Sequence, residues 1–64
     1  PDGRVVAIEV KTAAAPRPGD TRHLLWLRER LGDRLADAVV ITTGRDAYRD
    51  TDSIAVVPAS LLGP

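Results

Sequence analysis

The chain has 64 residues, no cysteine, and nine basic residues against nine acidic ones. That length bounds it to one small domain able to bury only about 60% of its unfolded surface, and without cysteine it has neither a disulfide framework nor a thiolate metal site. The zero net charge gives no support to nucleic-acid binding through overall charge. No apolar run approaches the roughly 20 residues of a membrane span. With no signal-peptide pattern at its start, the expectation is a cytoplasmic domain with no membrane partner.

The first residues, Pro1-Asp2-Gly3, are turn chemistry: proline presets φ, and Asp-Gly is a strong hairpin tip. Arg4 to Lys11, RVVAIEVK, reads as a strand rich in Val and Ile. Val6, Ile8 and Val10 fall on one face, and Val5, Ala7, Glu9 and Lys11 on the other. Both faces begin apolar, which predicts a strand inside a sheet and not at its wet margin. A hairpin tip at Asp2-Gly3 also implies a partner strand ahead of Pro1. Without that partner, the first strand presents an unpaired apolar edge that another segment or chain would cover.

Thr12 to Gly19 is a linker, in which Pro16 and Pro18 block any helix. Asp20 is a suitable N-cap for a helix over Thr21 to Leu31. Its Leu24, Leu27 and Leu31 form a core stripe that Leu25 broadens, and Gly32 fits the C-cap. Ala38 to Thr43, AVVITT, is a second strand whose near-continuous apolar run suits cover on both faces. Strand, helix, strand at these lengths predicts a βαβ unit with parallel strands. Ala47 to Arg49 and Ser53 to Val57 pair as a hairpin around Asp50-Thr51-Asp52, and Pro58 starts a last helical turn through Leu62 that Gly63 stops.

The candidate chemistry lies in Glu9-Val10-Lys11. Residues i and i+2 of a strand point to one side, about 6.6 Å apart. A carboxylate placed like Glu9 can ligate Mg²⁺ or Mn²⁺. A lysine placed like Lys11 can orient the attacking water or stabilise charge at a phosphate. Lys11 is the single lysine of the chain; the other eight basic residues are arginines. A second carboxylate from a neighbouring strand is still required. Asp2 cannot supply it, because an extended chain puts it about 20 Å or more from Glu9 at roughly 3.3 Å per residue. The competing reading of Glu9 and Lys11 is a solvated ion pair at a strand end, contributing about 0–1 kcal/mol.

The remaining polar residues carry less. His23 stands alone as a histidine and reads as a surface residue or a carboxylate's partner. Arg22, Trp26 and Arg30 recur every four residues on one helix face. That face either contacts nucleic acid or a partner domain, or, the reading favoured here, is a Trp lying over the sheet margin with arginines reaching to solvent. Asp46, Asp50 and Asp52 read as a polar hairpin, since the Gly and Glu of an EF-hand loop are missing.

Taken in order, Ile8-Glu9-Val10-Lys11, the helix text Leu24 to Asp33, Val39 to Gly44, and Val57-Pro58 through Leu62 resemble one known domain along essentially the whole chain. It is the C-terminal domain of unknown function that follows the ATPase in a prokaryotic family of AAA+ type ATP-binding proteins. The end of that domain is similar to the restriction-endonuclease-like PD-(D/E)xK fold. The resemblance implies an α/β fold: a βαβ half-core with a trailing hairpin and a short C-terminal helix. It implies that Glu9 and Lys11 match the Glu-x-Lys of that fold, with Glu9 as metal ligand. The Asp-bearing strand that the family places before the hairpin tip is not in this sequence, and neither is a P-loop, G-x-x-x-x-G-K-[ST]. The expectation is therefore a single domain over 1–64, the C-terminal part of a larger nuclease-like domain. As it stands it would be without hydrolytic activity and without a tightly bound Mg²⁺ or Mn²⁺. It would dock to the ATPase domain of the same longer protein or to another copy of itself. Metal-dependent phosphodiester hydrolysis is the alternative, once an upstream Asp strand completes the site.

Overall fold

In a computed structural model that describes residues 3–63, the chain is a four-stranded sheet with one helix laid on it. β1 (Val5–Val10) leads through the linker to α1 (Arg22–Leu31), a single 3₁₀ turn (Gly32–Arg34) and β2 (Leu35–Thr42). β3 (Tyr48–Arg49), β4 (Ala55–Pro58) and a last 3₁₀ turn (Ala59–Leu61) complete it. The spatial order is β1-β2-β4-β3. β1, β2 and β4 run parallel, and β3 lies antiparallel on β4. The predicted βαβ unit, hairpin and final turn are all present. Asp2 lies outside the described residues, while Gly3 holds the left-handed φ of +80° expected of a turn glycine.

The helix covers one side of the sheet. Leu24 is 1% exposed and packs with Ala38, Val40 and Ile54. Leu25, Leu27 and Leu31 are half-buried around it. Gly32 closes α1 with φ +52°, its N–H donating to the Arg28 carbonyl. The Arg28 guanidinium in turn donates to the Asp52 carbonyl at 2.6 Å, which ties the helix to the β3–β4 loop. That loop is organised by Asp50, whose Oδ1 accepts from the N–H groups of Asp52 (2.8 Å) and Ile54 (2.9 Å). Asp50 is thus a loop-forming residue, in keeping with a polar hairpin.

Three expectations are corrected. β1 lies at the margin of the sheet, with β2 as its one partner among the described residues. Val6, Ile8 and Val10 on one of its faces are more than half exposed. β2 is central, but among the described residues cover exists on one face only. Ala38, Val40 and Thr42 are buried under the helix side, while Val39 and Ile41 stay half-exposed on the other. The molecule is accordingly only 16 Å thick in its shortest dimension, the depth of one sheet and one helix. Finally, Asp20 does not cap α1: the N-cap is Thr21, with no side-chain cap bond. The Asp20 carboxylate instead turns back into the linker and accepts from the Arg17 N–H at 2.7 Å.

Candidate functional site: the carboxyl end of the first strand

β1 delivers Glu9, and the residue after it delivers Lys11, on the helix side of the sheet, as the i, i+2 spacing requires. Glu9 is level with Val40 of β2, and the Lys11 N–H continues the pairing by donating to the Ile41 carbonyl at 2.9 Å. The pairing extends past the strand: the Thr43 N–H donates to the Ala13 carbonyl at 3.0 Å. There the backbones come so close that a Cβ on Gly44 would lie 2.1 Å from the Ala14 carbonyl oxygen. Glycine at 44 therefore lets the linker leave β1 along β2 before it climbs to the helix.

That path brings the start of α1 over the end of β1. Glu9, Lys11, Asp20, Arg22, His23 and Trp26 line one open cleft of about 440 Å³. Asp20 is the residue that the reading of the sequence did not bring to this place. Its Oδ1 lies 3.9 Å from the Lys11 ammonium, a long contact between partly exposed groups. The βαβ crossover was the available signal: a helix returning over the strand it left sets its first residues above that strand's carboxyl end. Assigning Asp20 to a cap hid this. The Glu9 carboxylate makes no hydrogen bond or ion pair among the described residues, whereas the Asp20 carboxylate is engaged by Arg17 and Lys11. A larger opening of about 530 Å³ lies between the linker and the β3–β4 loop, lined by Pro16, Pro18, Tyr48 and Thr51 among others, and it contains neither Glu9 nor Lys11.

Mg²⁺ is ordinarily held by one or two carboxylates, with water and substrate oxygens filling an octahedron. Glu9 and Asp20 are two carboxylates at one cleft, yet no group of three ligating side chains forms among the described residues. These residues alone do not make a closed metal site, and no chemical step is derived through one.

Trp26 stands on the outer face of α1, 53% exposed. The Arg30 guanidinium carbon sits 5.3 Å from its ring centroid, and the His23 ring is 6.0 Å away, tilted by 34°. This stack makes the Trp26–Arg30 half of the Arg-Trp-Arg spacing a cation–π contact on the helix surface. It also gives His23 an aromatic partner in place of the carboxylate considered from the sequence.

The fold and this cleft define a small mixed α/β domain with a Glu-x-Lys pair at the carboxyl end of its first parallel strand. A family model, described as Domain of unknown function (DUF4143), matches residues 1–62, and the chain belongs to that family. No curated protein and no solved structure matches the chain significantly. Among the described residues no helix is long and apolar enough to cross a membrane.

Proposed function

We propose that the chain is a docking module of restriction-endonuclease-like architecture, non-catalytic by itself, which assembles through β1 with the ATPase domain of a longer protein or with another copy of itself. One observation carries the reading: β1 is a six-residue edge strand, VVAIEV, with no proline. Its outward backbone groups are a ready template for another strand. The opposite edge is different in kind: β3 has two residues, Tyr48 and Arg49, and leads into the Asp50 loop. Short, charged edges of that sort resist pairing.

The test uses the alternation of the ladder. Lys11 donates its N–H inward to β2, so the N–H groups of Ile8 and Val10 point away from the sheet. An Ile8→Pro substitution then removes an outward donor while leaving the β1–β2 ladder in place. Sedimentation velocity from micromolar to millimolar chain should show association for the wild type and for Ile8→Ala, and its loss for Ile8→Pro. A monomer throughout for the wild type would sink the self-pairing form of the reading.

A second reading is metal-dependent phosphodiester hydrolysis after completion by an upstream carboxylate. What favours it is the cleft that holds Glu9, Lys11 and Asp20 together. Calorimetric titration with Mn²⁺ is its test. Measurable binding that Glu9→Gln abolishes supports it, and indifference of both chains to Mn²⁺ counts against this chain having a metal site of its own.

A further inference from the structure

The opening of about 530 Å³ between the linker and the β3–β4 loop has two walls of opposite charge. Arg17 and Arg22 line it from the linker and the start of α1, and Asp50 and Asp52 from the loop. Leu25 and Tyr48 supply its apolar surface. Tyr48 pairs directly with Val56, which is buried on the helix side, so its ring faces that side too, 45% exposed where the helix layer ends. We propose that this groove binds a small aromatic zwitterion: a planar ring with an anionic group at one end and a cationic group at the other.

Three observations select that chemistry. First, the two walls do not neutralise each other. Among the described residues the Arg17 and Arg22 guanidinium groups and the Asp52 carboxylate make no hydrogen bond or ion pair. Asp50 is engaged through Oδ1 alone, which leaves Oδ2 to a ligand. Second, each wall is held in place. Pro16 and Pro18 restrict the backbone around Arg17, and the Arg17 N–H is bound by the Asp20 carboxylate. The loop is fastened from α1 by Arg28 on the Asp52 carbonyl, and from β3 by Arg49 on the Ser53 carbonyl at 3.0 Å. A ligand of one charge would satisfy one wall and be repelled by the other, whereas a ligand bearing both charges satisfies both.

Third, the exposed Tyr48 ring offers a face on which another ring can stack. The volume lies within the roughly 300–1,000 Å³ of small-molecule sites. Asp50 and Asp52 tell against a polyanion, and the arginines tell against a polycation. The groove is open and its charges stay in water, so each ion pair gained is worth a few-fold in affinity and not orders of magnitude.

The probe is para-(aminomethyl)benzoate. Benzoate and benzylamine carry one charge each, and L-phenylalanine carries both on one carbon; these three are the controls. Each is titrated into the ¹⁵N,¹³C-labelled chain and followed by NMR. The expected result is shifts at Arg17, Leu25, Tyr48 and Asp52, with the probe bound at least about threefold more tightly than any control. Asp52→Asn should reduce the probe to the affinity of benzoate, and the paired change Arg17→Gln with Arg22→Gln to that of benzylamine. The altered side-chain groups make no hydrogen bond or ion pair among the described residues, so both variants should fold, which circular dichroism checks; one folded variant suffices. Absence of shifts, shifts centred on the Glu9 cleft, a control bound as tightly as the probe, or variants that keep the selectivity would each overturn the proposal. None of these outcomes bears on pairing through β1, which Ile8→Pro tests separately.

Discussion

The two faces of this sheet are built from the same residue types and live in opposite environments. On the helix side Val40, Ile54 and Val56 are fully buried, while on the other side Val6, Ile8 and Val10 are more than half exposed. The difference is not in the side chains but in what lies above them. Leu24 and Leu25 of α1 pack on the cluster that holds Ala38 and Val40, and nothing among the described residues does so for the opposite rows. A small parallel sheet with one layer of cover has half a core. Burial, and with it stability, should therefore be concentrated on the helix side.

The largest test of that division compares one truncation on each side. Leu24→Ala removes a side chain that is 1% exposed and should cost about 2–5 kcal/mol, a large share of what so small a domain has available. The expected readout is a chain largely unfolded by circular dichroism at room temperature. Ile8→Ala on the open face should change the urea midpoint by no more than the equivalent of about 0.5 kcal/mol. Comparable losses at both positions would mean that the open face is covered in solution.

Gly44→Ala sharpens the comparison by attacking the geometry that holds the covered side together. The added methyl would meet the Ala14 carbonyl oxygen, a backbone atom that cannot swing aside. Separating the linker from the end of β2 should cost about 1–3 kcal/mol. It should also shift the resonances of Lys11, Asp20 and Trp26 around the Glu9 cleft. Val10, on the open face of the same strand, should move less.

The elements were legible in the sequence because local chemistry dictates them. The β1 and β2 runs, the two linker prolines, the Leu stripe of α1, Gly32 and the Asp50 turn each specify their own conformation. That essentially the whole chain belongs to a domain of unknown function was legible as well, since the match extends over residues 1–62. The position of β1 was legible only in part: the hairpin tip without its partner strand implied an open edge, while the apolar faces pointed to the sheet interior. A strand apolar on both faces reads alike whether it is central or awaits a partner, because period two records sidedness and not neighbours. At the candidate site, Glu9 and Lys11 were placed on one side by spacing alone. Asp20 escaped because one residue can satisfy a cap or a linker turn, and the choice depends on where the helix begins: at Arg22, with Thr21 and not Asp20 at the cap.

The smallest expected effect belongs to the polar end of the open face. The hydrogen bond from Arg49, aided by the Ala38 N–H and the Arg49 charge and opposed by slight desolvation, holds the Asp37 carboxyl below its ordinary value. A carboxyl with a depressed folded pKa adds stability that is fully present above the unfolded carboxylate range, near pH 4. That contribution is lost as the pH falls through the lower folded value. Urea midpoints at pH 5 and pH 3 should therefore drop further for the wild type than for Arg49→Gln. The difference should be small, because both side chains are substantially exposed, and smaller still in 1 M salt.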